Sequence, residues 1–211
     1  NSGDVNTALA SISESALFIA SQSSGVATNY NEYGWAGTLL SMDPGSGYLL
    51  EMSSSDEVIY PNFDLVREEF ISNKDRIELS STISDWDFNY RDFKYLGTIT
   101  VSLPNRNDVD GDIVGLFVNN ECRGFAERVR FPFESDTYYY IVQVYSNNLV
   151  GDQLSFKYYD SIKDTVINYT ESIEFNNNMV IGDGFNTYEL RKELMIPTEY
   201  RMENAYPNPF N

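Results

Sequence analysis

Histidine is absent from this 211-residue sequence, and cysteine occurs once, at Cys122. The first absence removes Ser-His-Asp and Cys-His nucleophilic catalysis, together with the usual imidazole-bound zinc and iron sites. The second rules out an intramolecular disulfide, so stability has to come from packing or from a bound metal. Cations are scarce as well: 14 Lys and Arg stand against 32 Asp and Glu, a formal net charge of −18. A field of that sign repels phosphate backbones and anionic headgroups, which argues against nucleic acid or a membrane surface as partner and suits solubility outside the cell. No apolar run approaches the roughly 20 residues needed to span a bilayer. Nor is there a Gly-rich phosphate loop, a Gly-x-Ser-x-Gly elbow or a Cys-x-x-Cys pair. Among 32 acidic residues some pair can always be nominated as the carboxylates of a glycosidase, so abundance empties that nomination. The expectation is a protein that is not an enzyme. No signal peptide is read within the sequence, and a mature or trimmed fragment is expected.

What the sequence does have is strand patterning. Residues 112–126 run Asp-Ile-Val-Gly-Leu-Phe-Val-Asn-Asn-Glu-Cys-Arg-Gly-Phe-Ala. The period predicts a buried strand over 113–118, a two-residue turn at Asn119-Asn120, where both residues tolerate positive φ, and a returning strand from Glu121. The first arm is apolar on both faces, which suits the middle of a sandwich and not its edge. Cys122 is expected to be a small buried side chain, since no histidine is present to activate it. Around this hairpin, Trp86, Phe88 and Tyr90 alternate. Residues 95–103 alternate too, with Tyr95, Gly97, Ile99, Val101 and Leu103 against Leu96, Thr98, Thr100 and Ser102, the pattern of a half-exposed antiparallel strand. Further strands are expected at 137–145, 153–159, 165–169, 172–175 and 187–190, with Asn-rich and Gly-Asp-Gly turns between them. Short strands at this spacing indicate an antiparallel β-sandwich of immunoglobulin-like type over residues 86–196.

Before it lies a small α+β or β-rich module, residues 1–61. Asp4 can cap a helix whose apolar face is Val5, Ala8, Leu9, Ile12, Ala16, Ile19 and Ala20. Pro44-Gly45 and Ser46-Gly47 signal turns, and 48–52 and 58–60 are strand-like. Residues 62–85 are charge-mixed and read as a linker with a short helix at 63–71. Residues 197–211, rich in Pro and Asn, read as an extended tether.

One loop and one aromatic set are candidate sites. In the run Asn105-Arg106-Asn107-Asp108-Val109-Asp110-Gly111-Asp112, the side chains of Asn107, Asp108, Asp110 and Asp112 offer oxygens to a hard cation such as calcium. Arg106 stands where an EF-hand would need its first acid, and the competing reading is a set of Asx turns. Tyr30, Tyr33, Trp35 and Tyr48 can be read as a carbohydrate-stacking platform, or as core and interface aromatics.

The 112–126 run, followed by Val-Tyr-Ser-Asn at 144–147 and Leu-Ser-Phe-Lys-Tyr-Tyr-Asp at 154–160, resembles a β-sandwich module. That module recurs in large secreted proteins of Bacteroidetes-type bacteria, near type IX secretion sorting domains. Asn-x-Ala-Leu-x-Ser-Ile at 6–12, Gly-Trp-x-Gly-x-Leu at 34–39 and Pro-Gly-x-Gly-Tyr-Leu at 44–49 resemble a second module that precedes the sandwich there. Relatives of that module carry a Trp- and Ile-rich strand before the helix, and here it is missing. Tyr206, Pro207, Asn208, Pro209, Phe210 and Asn211 are similar to the opening of the sorting domain itself. Asp160-Ser161-Ile162 and Asp164-Thr165-Val166 resemble O-glycosylation sites of these bacteria. The resemblance implies a non-catalytic extracellular structural or adhesive surface module. The missing strand would leave an open sheet edge beside Leu49, Leu50 and Ile59; either a strand of another copy or the 197–211 tail covers it, building a filament or surface layer, or the strand was trimmed away or belongs to another part of the same protein. The module's partners would be other copies of itself or neighbouring domains of the same secreted protein. The alternative is a carbohydrate-binding module with glycans as partners.

Overall fold

The computed structural model describes residues 3–61, 79–107, 109–134 and 136–193. Its centre is the expected hairpin. Strand β8 (Ile113–Val118) is buried at every position, Asn119 and Asn120 both take positive φ, at 50° and 67°, and β9 (Glu121–Arg130) returns. Two consecutive positive φ values give a tight turn whose twist matches that of the strands, which is why asparagine occupies both positions. The other strands follow in order. They are β1 (Gly3–Asp4), β2 (Ala16–Ser21), β3 (Gly25–Asn29), β4 (Trp35–Gly37), β5 (Ser41–Met42), β6 (Tyr48–Met52) and β7 (Tyr95–Ser102) before the hairpin. After it come β10 (Tyr138–Ser146), β11 (Val150–Asp160), β12 (Thr165–Asn176), β13 (Val180–Ile181) and β14 (Tyr188–Glu189).

The fold is mainly β, a sandwich made by one folded-over sheet of order β12-β11-β8-β9-β10-β7-β13, with β14 also on β7. Strand β9 belongs to both layers. Its residues 121–127 pair with β8, then Arg128, Val129 and Arg130 pair with β10. Between the layers lies a core drawn from alternate residues: Ile99, Val101 and Leu103, then Val114, Leu116 and Val118, then Tyr140, Val142 and Val144, then Leu154, Phe156 and Tyr158. The period-2 rule accounts for this selection.

The opposite face of the β7/β10 layer is also covered. Along β10 the outward row is Tyr139, Ile141, Gln143 and Tyr145; along β7 it is Leu96, Thr98, Thr100 and Ser102. Over part of this surface packs the N-terminal sheet, of order β4-β3-β2-β6. Phe18, Ala20, Val26 and Tyr30 form a joint apolar layer with Phe131, Tyr139 and Ile141. On its other face, Ile19, Ala27 and Trp35 meet Val5, Ala8, Leu9 and Ile12 of the N-terminal helical turns. Hydrogen bonds cross the junction too, among them Gln143 Nε2 to the Ser21 carbonyl at 2.8 Å and Tyr145 Oη to the Gln22 carbonyl at 2.8 Å.

Five local expectations are corrected. Strand β7 is not half-exposed: its threonine face is buried because the N-terminal sheet lies over it, and its far edge carries β13 and β14 in parallel register. The N-terminal helix is cut short. Asp4 accepts the Thr7 N–H as expected of a cap, but α1 (Val5–Ala8) is one turn, a 3₁₀ turn follows at Ala10–Ile12, and Ala16, Ile19 and Ala20 lie in β2. Ser15 ends the helical run with its carbonyl given to Ser53 N–H, and β2 gains ladder bonds on both sides from β3 and β6. Trp86, Phe88 and Tyr90 form no strand: Trp86 and Tyr90 lie in 3₁₀ segments at Ser81–Trp86 and Tyr90–Asp92, with Phe88 in the irregular stretch between them, and their alternation serves packing instead. Residues 58–60 pair with no strand, and Ile59 and Tyr60 are exposed. The separate strands expected at 165–169 and 172–175 are one, β12, interrupted by a bulge opposite the Ser155 to Lys157 stretch of β11. The helix at 63–71, most of the 62–85 linker and the tether at 197–211, with its sorting-like residues, fall outside the described residues.

Beside the hairpin, Trp86 stands edge-on to Phe117 at 5.1 Å, in a cluster with Ile83, Ile113, Cys122 and Tyr159. Burial pushes the Cys122 thiol up to about 12. Cys122 is therefore expected to react with a thiol reagent at pH 8 at least about a hundredfold more slowly in the native chain than in guanidinium. A native rate close to the unfolded one would place the side chain outside this cluster.

Candidate functional site

The loop between β7 and β8 is organised by Asp112, which is 1% exposed. Its Oδ2 accepts the Val109 N–H at 2.8 Å and the Tyr158 hydroxyl at 2.5 Å; its Oδ1 accepts the Ser161 N–H at 2.8 Å and the Ser161 hydroxyl at 2.7 Å. Burial, followed by the bond to Asp112, raises the Tyr158 hydroxyl above its ordinary range. Arg106 stacks over the Tyr158 ring at 5.0 Å, donates to Tyr169 Oη at 3.0 Å and pairs with Glu193 at 2.7 Å. Asp160 stands 3.8 Å from Arg106 and 2.8 Å from Lys163, and the Lys163 bond leads the causes that hold its carboxyl below the usual range. The arginine at the first EF-hand position is thus a pillar that ties the loop to β11 and β12.

Of the three proposed cation ligands among the described residues, Asp110 and Asp112 are turned to protein groups. Asn107 is exposed, and Asp110 turns to Arg128, at 2.9 Å from Nε and 2.8 Å from Nη2. Both oxygens of Asp112 are engaged as described, and Asp108 lies outside the described residues. Among the described residues no group of three or more acidic or thiol side chains is placed to hold a metal. A calcium ion in this loop would have to displace Arg128 from Asp110, and Tyr158 and Ser161 from Asp112.

The four aromatic candidates divide between two faces of the N-terminal sheet. Trp35 is buried beneath the helical turns, and Tyr48 is half-buried beside it, its hydroxyl accepting the Asp43 N–H at 2.6 Å. Tyr30 is buried on the sandwich side, where its hydroxyl accepts the Gly184 N–H at 2.7 Å. Tyr33 alone stands out, at 61% exposure, its ring 5.1 Å from that of Phe133 and 6.2 Å from that of Phe185. Phe133 and Phe185 come from the sandwich, and only the Phe-Pro-Phe run at 131–133 hinted at their role. Of the two sites resembling O-glycosylation acceptors, Ser161 has its hydroxyl on Asp112, whereas Thr165 is exposed at the start of β12.

A third feature went unread in the sequence. On the outward face of β9 and β10 a cleft of about 1080 Å³ lies between the 22–25 turn of the N-terminal sheet and residues 87–92. A smaller apolar groove of about 310 Å³ runs between β6 and β13, lined by Phe18, Leu49, Leu96 and Met179. No helix among the described residues is long and apolar enough to cross a membrane. Neither a family model, a curated protein nor a solved structure matches the chain.

Proposed function

We propose that this chain is a non-catalytic structural or adhesive module displayed outside the cell, and that copies associate through the edge of β6. The observation that carries this reading is the edge itself. Among the described residues β6 pairs with β2 alone, so the outer row of its backbone groups has no strand partner. Leu49 on that edge is 44% exposed and opens onto the apolar groove shared with β13. An exposed apolar edge invites strand addition from a second copy, and a contact between unlike surfaces propagates because it need not close. The surface charge of −18 supports display in solution, and the likeness of residues 206–211 to a sorting signal supports export. Both halves can be tested. In a strain lacking type IX secretion, the full-length protein is expected to be trapped in the periplasm; normal surface display there contradicts the export half. Negative-stain images of purified protein are expected to show chains of copies, with or without residues 197–211, since the edge lies elsewhere.

A further inference from the structure

The outward row of β10 is covered at both ends and bare in the middle. Tyr139 and Ile141 lie under the N-terminal sheet. Tyr145 lies under the 3₁₀ segments, its ring 5.6 Å from Phe88 and 6.2 Å from Tyr90. Between them Gln143 forms part of the 1080 Å³ cleft. Gln143 and Tyr145 are each tied to the N-terminal sheet by one hydrogen bond, so floor and wall are held in fixed relation.

We propose that this cleft binds a neutral oligosaccharide. It stands at the junction of two packed sheets, where ligand sites concentrate, and combines a few rings with convergent polar groups. Tyr90 and Phe88 are half-buried rings on its lip, and an aromatic face suits the apolar face of a pyranose. Around them Gln143, Glu127 and Asp92 line the same space; the Gln143 Nε2 is held by the Ser21 carbonyl and the Asn89 amide by Asp92 Oδ1 and the Arg91 N–H, so the side groups turned to a ligand are chiefly carboxylate and amide oxygens that accept from sugar hydroxyls. Charge selects against acidic glycans. The lining carries the carboxylates of Asp87, Asp92 and Glu127 beside Arg91 and Arg128, and Arg128 is paired with Asp110, so the cleft has an excess of negative charge. A peptide is the poorer fit. The floor is the side-chain face of β10, whose 140–146 backbone is paired to β7, so an extended chain cannot add to that edge. This site goes beyond the structural role and holds whether or not copies associate; it also moves glycan recognition away from Tyr30, Trp35 and Tyr48.

The test is affinity electrophoresis and calorimetry of the full chain. Xyloglucan, laminarin and galactomannan serve as neutral probes, with polygalacturonate and a gelatin peptide beside them. At least one neutral polymer is expected to bind, and Tyr90→Ala to weaken it at least about tenfold, while Tyr33→Ala leaves it unchanged. If Tyr90→Ala loses its native circular dichroism, Glu127→Gln at an exposed position is read in its place, with about threefold weakening or more expected. Failure of all three neutral polymers to bind, binding confined to polygalacturonate or gelatin, or affinity unchanged in the folded variant overturns the proposal.

Discussion

Replacing Gly124 by alanine is expected to lower the stability of the chain by about 4 kcal/mol or more, a large part of the 5–15 kcal/mol typical of a folded protein. The reason lies in how β9 passes from one layer to the other. Leu116 faces Gly124 and Phe117 faces Cys122, so one extra residue, Arg123, sits in β9 as a bulge. There the backbone of β9 swings against β10. A Cβ at position 124 would stand 1.9 Å from the Gln143 carbonyl oxygen, and that oxygen belongs to a strand fixed by its pairing with β7. Backbone cannot retreat as a flexible side chain could, so the two layers would have to part. Gly47→Ala is the control: a Cβ there meets nothing within 4 Å, and a change within about 0.5 kcal/mol is expected. Urea unfolding measures both. A Gly124→Ala midpoint equal to that of the wild type would mean that β9 does not approach β10 at this point.

Asp112→Ala is expected to cost about 3–5 kcal/mol, because it strands several donors in a buried place. The Tyr158 hydroxyl, the Ser161 N–H and hydroxyl and the Val109 N–H would all lose their acceptor, and the ring on which Arg106 stacks would lose its anchor. Asp112→Asn keeps one carbonyl oxygen but turns an amide toward a donor, so about 1–3 kcal/mol is expected. Thermal melts separate this role from cation binding. A ligand that binds only the native state raises Tm by mass action. Chelator is expected to leave the wild-type Tm unchanged, and a Tm lowered by chelator and restored by calcium would make the loop a cation site.

How far the sequence spoke depended on whether a signal was local. Ile-Val-Gly-Leu-Phe-Val before Asn-Asn carried its own turn chemistry and apolar period, and β8, the turn and β9 stand where those residues put them. Tyr48 to Met52 was equally self-contained. Alternation misled where another layer intervened. Thr98 and Thr100 look solvent-facing on a strand, yet both are buried, on a face whose Leu96 packs with Phe18 and Ala20, some 80 residues earlier. Val5 to Ala20 shows the opposite failure. A helical period and a turn followed by a strand select the same buried residues here, and only the pairing of β2 on both edges decides between them. The sites were least legible. Tyr30 and Trp35 are five residues apart but lie on opposite faces of one sheet, while the cleft gathers residues 22–25, 87–92 and 125–145, whose juxtaposition no local pattern announces.

Association through β6 comes down to one exposed edge, and sedimentation velocity across a concentration series tests it most directly. Wild-type protein is expected to sediment as a growing series of species as concentration rises. Leu49→Lys places a charge on the edge, where lysine blocks strand addition, and is expected to sediment as monomer at every concentration with an unchanged circular dichroism spectrum. Wild-type protein that remains a monomer throughout, or a Leu49→Lys variant that associates as the wild type does, contradicts a structural module joined at this strand.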